Sequence, residues 1–350
     1  MRITRQRGRR QNGPNLPLSR KRLSHLVLAS VALGAITSCS PASPSLLDTV
    51  GPDAKRVENL WWLMLALASG VLIVVLVVLI GAIARGGRQG DDELNASAGA
   101  GRRLVILGGV VMPILVLTVV FVIATVDLGA LSADAATGTE IHVTGKQWWW
   151  EVVYPGTDVV TANEIHVPVG ERIRFTLDSA DVIHSFWVPQ AGAKRDMIPG
   201  HTNELTLSFD RPGTFRGICS EFCGLQHAKM QFLVVAQPRD EFEAWLQEQA
   251  KPALEPKTPE ETHGRDLFTG GSCAGCHDIR GVSDADTTGP DLTHLASRST
   301  IAAATLDLDH QNLIAWVDDP ATLKPGVLMP AAGLDHEQLD DLVAYLESLR

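Results

Sequence analysis

Two long apolar runs, at residues 60–84 and 104–126, dominate the hydrophobic pattern of the chain. A helix needs about 20 apolar residues to cross a hydrocarbon core about 30 Å thick, and each run is longer than that. Pro113 interrupts the second run, which a spanning helix tolerates where neighbouring groups satisfy the freed carbonyl. The pattern therefore predicts a transmembrane helix hairpin over residues 59–128.

The loop between these runs carries four arginines, Arg85, Arg88, Arg102 and Arg103. Basic residues at the ends of spanning helices mark the cytoplasmic side of a membrane. We therefore expect both ends of the hairpin, and everything from about Leu128 onward, outside the cytoplasm. Such a chain is a multi-pass membrane protein that contacts lipid and has extracytoplasmic C-terminal domains.

Residues 138–238 show a different pattern of short alternating or β-branched stretches, separated by turn residues such as Pro155-Gly156. Alternation with a period of two is typical of strands, and the short spacing favours an all-β antiparallel sandwich or barrel. Residues 239–260 predict a helix followed by a stiff, proline-rich linker.

Residues 261–350 predict a small all-α domain. The segment Gly264–Phe268 is expected to open its first helix, and Trp316 to lie in a middle helix. Near the C-terminus, apolar Leu339, Leu342 and Leu346 follow helical spacing and predict an amphipathic final helix.

The N-terminal segment resembles an export signal. A basic stretch precedes an apolar run from Leu26 to Ile36, which is too short to span a bilayer comfortably. The run ends in Ile36-Thr37-Ser38-Cys39, which resembles the lipobox of bacterial lipoproteins. The resemblance implies that residues 1–38 form a signal peptide in a bacterium and that Cys39 becomes a lipidated N-terminus. A plain signal peptide with an incidental cysteine is the alternative.

Charge and cysteine content narrow the class of protein. The chain has 350 residues, a formal net charge of −10 and only five cysteines, too few for a disulfide scaffold. From Cys39 onward there are 22 basic and 40 acidic residues. An acidic surface steers basic partners and repels nucleic acid, so we expect no nucleic-acid partner.

The stretch CSEFCGLQHAKM at residues 219–230 places two cysteines, a histidine and a methionine within one loop. Thiolate and thioether ligands select copper or zinc over hard cations, and a zinc site of cysteines and histidines rarely recruits methionine. One blue-copper ion uses a single cysteine, whereas two copper ions bridged by both sulfurs would use both. Each ion would then take one imidazole; His227 supplies one, and His184 is the best candidate for the other. We interpret the remaining histidines of the β domain as structural: His142, His166 and His201.

This motif, the Trp148-Trp149-Trp150 run and the helix hairpin resemble cytochrome c oxidase subunit II over about residues 50–236. The resemblance implies a cupredoxin-like fold with a dinuclear CuA centre. It also implies the CuA ligands His184, Cys219, Cys223, His227, Met230 and the backbone carbonyl of Glu221. The Glu221 carboxylate would point to a magnesium site shared with subunit I. Trp148 would be an exposed indole through which electrons enter, unless they come from the haem domain described next.

The motif Cys273-Ala-Gly-Cys276-His277 has the C-x-x-C-H spacing that attaches haem c through two thioethers, with the histidine as an axial iron ligand. Met329 is the candidate for the second axial ligand. The competing histidines are expected at the surface: His294, His310 and His336. The module resembles a class I cytochrome c, in which the carbonyl of the proline at position 290 would hold the axial histidine.

Together these resemblances imply subunit II of a respiratory cytochrome c oxidase with a fused cytochrome c domain, an oxidoreductase and translocase complex. Electrons would pass from cytochrome c, or a cytochrome bc-type reductase, through haem c and CuA. They would then reach the haem/CuB site of subunit I, which would bind this chain with the other oxidase subunits. A CuA/haem c subunit of a nitric oxide reductase, or a stand-alone membrane-anchored electron carrier, is the alternative.

Overall fold

The computed structural model describes residues 44–86, 98–132, 138–285 and 288–350. The expected signal peptide, Cys39 and Arg88 lie outside these residues. The described chain forms two long apolar helices, a β-sandwich and a small helical C-terminal domain. This is the fold class predicted from the sequence.

The first apolar helix, α1, spans Pro52–Gly86, and the second consists of α2 (Ala98–Ile106), a π-helical turn (Leu107–Val111) and α3 (Met112–Ser132). Within the described residues, both are long and apolar enough to cross a membrane. The π-helical turn ends at Val111, two residues before Pro113. Proline has no N–H to donate and its ring crowds the preceding turn, which accounts for the local widening of the helix.

The outer ends of the two helices meet at the sandwich. Arg56 in α1 lies 3.7 Å from Asp127 in α3. Just before α1, Val50 is only 2% exposed; its N–H donates to the Gln190 carbonyl at 2.8 Å, and its own carbonyl accepts from Asp210 N–H at 2.7 Å. The first helix therefore leaves directly from the sandwich core.

The sandwich consists of two five-stranded sheets with strand orders β3-β2-β1-β5-β8 and β4-β10-β9-β6-β7. The strands are β1 (Glu140–Lys146), β2 (Trp149–Val153), β3 (Val160–Ala162), β4 (Glu164–Pro168), β5 (Arg172–Ser179), β6 (His184–Trp187), β7 (Arg195–Met197), β8 (Asn203–Ser208), β9 (Gly213–Cys219) and β10 (Gln231–Gln237). The expectation of purely antiparallel sheets was wrong, because β1 pairs with β5, and β10 with β4, in parallel. Parallel partners come from distant parts of the chain, so alternation within each strand does not reveal them.

Aromatic side chains from both sheets fill the sandwich core. The fully buried Trp150 meets Phe186 and Phe232 edge-on, with ring centroids 5.9 Å and 5.2 Å away. Edge-to-face contacts of this kind add about 0.5–1.5 kcal/mol beyond the burial of area. This core lies directly beneath the ends of β6 and β9, the two strands that carry His184 and Cys219.

The C-terminal domain contains α5 (Pro259–Gly270), a two-stranded hairpin of β11 (Thr300–Ile301) and β12 (Leu306–Asp307), α6 (His310–Asp318), α7 (Pro320–Leu323) and α8 (His336–Ser348). Thr258 and Glu261 form a capping box at the start of α5. The helix therefore begins at Pro259, and the expectation that Gly264–Phe268 opens it was wrong. Trp316 lies in α6, as predicted.

The connection between the two outer domains begins with α4 (Arg239–Gln249), which inserts Phe242 into the sandwich core. Part of the proline-rich stretch that follows is bound to the helical domain. Ala253 N–H donates to the Arg280 carbonyl at 3.1 Å, and the Arg280 guanidinium donates to the Gln249 carbonyl at 3.1 Å. These bonds anchor the start of the connection on the domain it leads to.

Candidate metal and haem sites

A cluster of sulfur and imidazole groups lies at one end of the sandwich. The Sγ atoms of Cys219, at the end of β9, and Cys223, in the following loop, are 3.7 Å apart. His184 Nδ1 lies 3.9 Å from Cys219 Sγ, and His227 Nδ1 lies 3.6 Å from Cys223 Sγ. Met230 Sδ is 3.7 Å from Cys223 Sγ. The structure therefore brings together the five side chains that the sequence singled out.

Glu221 contributes to the cluster through its main chain. Its carbonyl oxygen lies 3.3 Å from Cys219 Sγ, whereas its half-exposed carboxylate lies 3.8 Å from the Lys194 ammonium. The carbonyl is thus in position for the expected ligand role. The magnesium site remains a prediction.

The two thiols share their charge unequally. The hydrogen bond with the Cys223 thiol and the nearby His184 lower the pKa of Cys219 to about 3, although burial opposes this change. The same interaction with Cys219, together with burial, raises the pKa of Cys223. Both sulfurs can ionise together only when a cation supplies compensating charge. Two close thiolates flanked by two imidazoles and a thioether suit a pair of soft metal ions, so the residues present fit dinuclear copper.

Groups around the cluster hold its members in place. His184 Nε2 lies 2.8 Å from Asp181 Oδ1, which leaves Nδ1 facing the sulfur. Gln147 Nε2 and the Trp148 indole Nε1 both donate to the Cys223 carbonyl, at 2.7 Å and 2.9 Å. Partners of this kind fix the orientation of ligands and tune the metal that they bind.

Trp148 is not the exposed indole that the resemblance implied, since only 8% of its surface is accessible. The Lys324 ammonium of the helical domain donates to the Trp148 carbonyl at 3.4 Å, and Trp148 lines a cavity otherwise formed largely by that domain. The helical domain therefore covers this side of the copper loop.

That cavity, of about 240 Å³, lies where the C-x-x-C-H motif predicts haem. Cys273, Cys276, His277 and Met329 all line it, and its apolar wall includes Phe268, Leu313, Trp316, Leu342 and Leu346. An apolar cavity with covalent attachment points is the environment that haem c requires.

The His277 ring is oriented by one hydrogen bond. Its Nδ1 lies 2.7 Å from the Pro290 carbonyl, so Nδ1 carries the proton and Nε2 keeps the lone pair that a metal needs. Burial also lowers the pKa of His277 and favours the neutral ring. This contact is the one that the cytochrome c resemblance implied for the proline at position 290.

Polar atoms in the cavity wall provide a further test of the fit. Arg298 and Thr300 line the cavity, and Arg298 Nε and Thr300 Oγ1 are buried with no hydrogen-bond partner among the described residues. Burial also lowers the pKa of Arg298. Unpaired buried donors are costly, and the anionic propionates of a haem would satisfy them. The residues present therefore fit haem.

Sequence reasoning missed Arg298, although one signal for it exists. Residues 261–350 contain only five basic residues against fifteen acidic ones. A basic residue in so acidic a domain, between the axial-ligand loop and the next element, is an obvious candidate to bind an anion.

Among the described residues, the histidines that were interpreted as structural or surface residues contact neither site. His142 is partly exposed and its Nε2 lies 3.1 Å from Glu140 Oε1, and His166 stacks on Trp245 with a centroid distance of 4.1 Å. His201 is exposed, as are His310 and His336. The expectation that His294 lies at the surface was wrong, because it is 5% exposed and its Nε2 lies 3.0 Å from the Lys251 carbonyl.

Comparison with known proteins identifies both domains. Residues 157–237 match the family described as cytochrome C oxidase subunit II, periplasmic domain, and residues 262–350 match the family described as cytochrome c. A cytochrome c oxidase subunit 2 of Alkalihalophilus pseudofirmus is 36% identical over 313 residues, which are 87% of this chain and 90% of that protein. The corresponding protein of Bacillus subtilis is 28% identical over 347 residues, which are 93% of this chain and 97% of that protein.

Among solved structures, the periplasmic domain of subunit II of cytochrome oxidase of Bradyrhizobium japonicum is similar, with 35% sequence identity and a TM-score of 0.32. The match covers 33% of this chain and 95% of that chain.

The fold and the two sites define a membrane-anchored oxidoreductase subunit with a copper domain and a haem domain. The chain belongs to the cytochrome c oxidase subunit 2 family. Membership implies CuA copper in the sandwich, haem in the helical domain and association with an oxidase complex.

Proposed function

We propose that this chain accepts electrons from cytochrome c, or directly from a cytochrome bc-type reductase, and delivers them to the oxygen-reducing haem/CuB site of oxidase subunit I. Haem c and CuA, when bound, supply the one-electron redox chemistry. The role of the protein chain is to bind both groups, to orient them and to exclude water from the space between them.

The position of Trp148 is the observation that supports this proposal most strongly. Its indole donates to the Cys223 carbonyl at 2.9 Å, and the same residue lines the cavity that contains Cys273 and His277. One buried side chain therefore connects the candidate copper loop with the candidate haem site. We propose that electrons move between the two sites beside this indole. Trp148 would then lie on the path from the haem domain of this chain, and not on a path from an external protein.

The proposed copper ligands are His184, Cys219, Cys223, His227, Met230 and the Glu221 carbonyl. For haem c, Cys273 and Cys276 would form the thioethers, and His277 and Met329 would be the axial ligands. The Glu221 carboxylate would face a magnesium ion shared with subunit I.

The hairpin supports a bacterial cell-membrane location with both outer domains on the extracytoplasmic side. Arg102 and Arg103 lie near the start of the second apolar helix, at the end away from the sandwich, and basic residues favour the cytoplasm. The Arg56–Asp127 pair and the buried Val50 lie at the opposite end, next to the sandwich. A two-helix anchor also gives subunit I a surface to bind, which a stand-alone carrier does not require.

Spectra and metal content of the purified complex test the proposal. We expect a low-spin haem c optical spectrum and a multi-line mixed-valence copper signal in electron paramagnetic resonance. Cys223→Ser should abolish the mixed-valence signal and leave the haem spectrum unchanged. Cys273→Ser, its matched control, should disturb haem attachment and leave the copper signal unchanged.

Two outcomes would overturn parts of the proposal. A single copper ion, or zinc, in each fully matured chain would rule out the dinuclear centre. Consumption of nitric oxide instead of oxygen by the complex would rule out the oxidase assignment and favour the reductase alternative.

A further inference from the structure

The helical domain is attached to the copper loop through a set of hydrogen bonds centred on Lys324. This lysine follows α7, is only 2% exposed, and donates to the carbonyls of Lys229 and Ala302 at 3.0 Å each and of Trp148 at 3.4 Å. Lys229 and Trp148 belong to the copper domain, and Ala302 to the helical domain. A single ammonium group therefore binds backbone oxygens of both domains.

The contact is reciprocal. Lys229 lies immediately before Met230 in the copper loop, and its ammonium donates to the Leu323 carbonyl at 2.7 Å. Gln226, in the same loop, donates to the Pro325 carbonyl at 2.6 Å. The residues on either side of Lys324 therefore each bind a side chain from the segment that carries the proposed copper ligands.

The ammonium group of Lys324 is buried, which is unusual for a lysine. Burial lowers its pKa to about 8, and none of its hydrogen-bond partners among the described residues is a carboxylate. Desolvating an ammonium group is costly, and the three backbone carbonyls that accept hydrogen bonds from it offset part of that cost. Moving either domain relative to the other would break some of these bonds, so they favour one orientation of the two domains.

The turn between β11 and β12 provides an independent observation. Ala302, Ala303 and Ala304 all have left-handed backbone conformations, with φ of 54°, 58° and 54°. Residues other than glycine and asparagine rarely adopt this conformation even singly, and three in succession require strong support from their surroundings.

Hydrogen bonds at the interface provide that support. The Ala302 carbonyl accepts from Lys324, the Ala303 carbonyl from Gln231 N–H at 3.2 Å, and the Ala304 carbonyl from the Arg216 guanidinium at 2.9 Å. Gln231 and Arg216 belong to the copper domain. Two carbonyls of this strained turn, those of Ala303 and Ala304, therefore accept from donors on the copper domain.

A third contact lies elsewhere on the interface. The backbone N–H and the hydroxyl of Ser299 donate to Glu164 Oε2 at 3.0 Å and 2.6 Å. Glu164 is 5% exposed and belongs to β4 of the copper domain. The interface is therefore held at several separate points.

From these contacts we propose that Lys324 is a positioning residue for electron transfer: it locks the haem domain onto the copper loop in one orientation. The inference rests on the proposed function, because the orientation matters only if electrons pass between the two sites. A haem domain on a mobile tether would instead spend much of its time away from Trp148, and transfer would wait for docking.

The test uses the complete purified oxidase with Lys324→Met, which removes the charge and keeps most of the side-chain length. We expect electron transfer from haem c to CuA, followed optically after rapid reduction of the haem, to slow by about tenfold or more. That factor corresponds to about 1.4 kcal/mol lost from the docked state or from the barrier. Lys257→Met is the matched control, since Lys257 is an exposed lysine of the connection, and its rate should equal that of the unmodified complex.

Hydrogen exchange provides a second measurement that does not depend on redox activity. The amide protons of Gln231 and Ser299 donate across the interface, so they should exchange faster in Lys324→Met. The amide of Leu233, which donates to Asn163 within the copper domain at 2.9 Å, should keep its protection.

The outcomes separate this inference from the function on which it rests. If the unmodified complex lacks the haem c or mixed-valence copper signal, the proposed function fails. If Lys324→Met retains both signals with unchanged transfer rate and exchange, the positioning role of Lys324 is wrong and the proposed function stands. If Lys324→Met does not assemble, Ser299→Ala at the exposed rim of the interface provides the test. A fixed orientation of the haem domain predicts slower electron transfer from haem c to CuA and faster exchange of the Gln231 amide in this variant. Unchanged values of both would overturn the proposal.

Discussion

Gly289→Ala should selectively disturb the haem site. A Cβ atom at position 289 would lie 2.7 Å from Cε1 and 2.9 Å from Nδ1 of His277, and 3.0 Å from the Cys276 carbonyl. Such distances are shorter than real Cβ contacts, so a neighbouring group must move. The imidazole cannot move away freely, because its Nδ1 is hydrogen-bonded to the Pro290 carbonyl at 2.7 Å. The Cys276 carbonyl is also constrained, since Cys276 is adjacent to His277 in the chain.

The size of the effect follows from this crowding. Extra carbon atoms in a well-packed site typically cost about 1–3 kcal/mol, equivalent to roughly 5- to 150-fold in an equilibrium constant. We expect most of that loss in the coordination of iron by His277, because the added methyl group contacts the ring directly. A mixture of low-spin and high-spin haem should result, with a lower content of attached haem.

The assay is the optical spectrum and haem content of the purified complex, normalised to chain concentration. Gly270→Ala is the matched control, since nothing lies within 4 Å of a Cβ atom at the end of α5. The control should have a fully low-spin haem. An unchanged spectrum and full haem content in Gly289→Ala would refute the claim that this close approach holds the axial ligand in place.

Three further substitutions test other parts of the structure. Gly145→Ala would place a Cβ atom 2.8 Å from Cδ2 of His184, so metal analysis should show reduced copper while the haem spectrum stays intact; full copper content would contradict the proposed ligand set. Arg298→Met removes a buried cation from the haem cavity, so the haem reduction potential in redox titration should fall by on the order of 50 mV; an unchanged potential would show that Arg298 does not act on the haem. The hydrogen bond to Asp341 raises the pKa of His263. The contribution of this His263–Asp341 pair to the stability of the domain is therefore complete below the unfolded-state pKa and is lost as pH rises through the folded-state pKa. His263→Gln should therefore flatten the pH dependence of thermal unfolding of the haem domain as pH rises above the ordinary histidine pKa of about 6.5. An identical pH dependence in the variant would exclude this pair.

The sequence was most informative where chemistry and chain proximity coincide. Cys219, Cys223, His227 and Met230 lie within one loop, and their side chains cannot be far apart once that loop forms. His184 is the exception, since it is 35 residues upstream of Cys219, and the pairing of β6 with β9 brings it to the cluster. The need for a second imidazole made it the best candidate in the sequence, and the family resemblance implied the same role.

Features that depend on the docking of two domains were not predictable in this way. The hydrophobic pattern treats Trp148 as one residue of a strand, and only the neighbouring domain decides whether that indole is exposed. His294 was misjudged for the same reason, because the connecting segment that covers it comes from outside the helices of its own domain. Lys324 looks like any surface lysine in the sequence, and its burial depends on how the copper loop meets the residue.

The burial of Val50 beside the start of α1 fixes the height of the copper loop above the lipid. Because the sandwich core holds the residue two positions before the helix begins, no hinge separates the two elements. One residue inserted into the outer turn of α1 would lift the sandwich by about 1.5 Å and rotate it by about 100° relative to the bilayer. The outermost turn of α1 therefore sets both the height and the rotation of the sandwich relative to the bilayer.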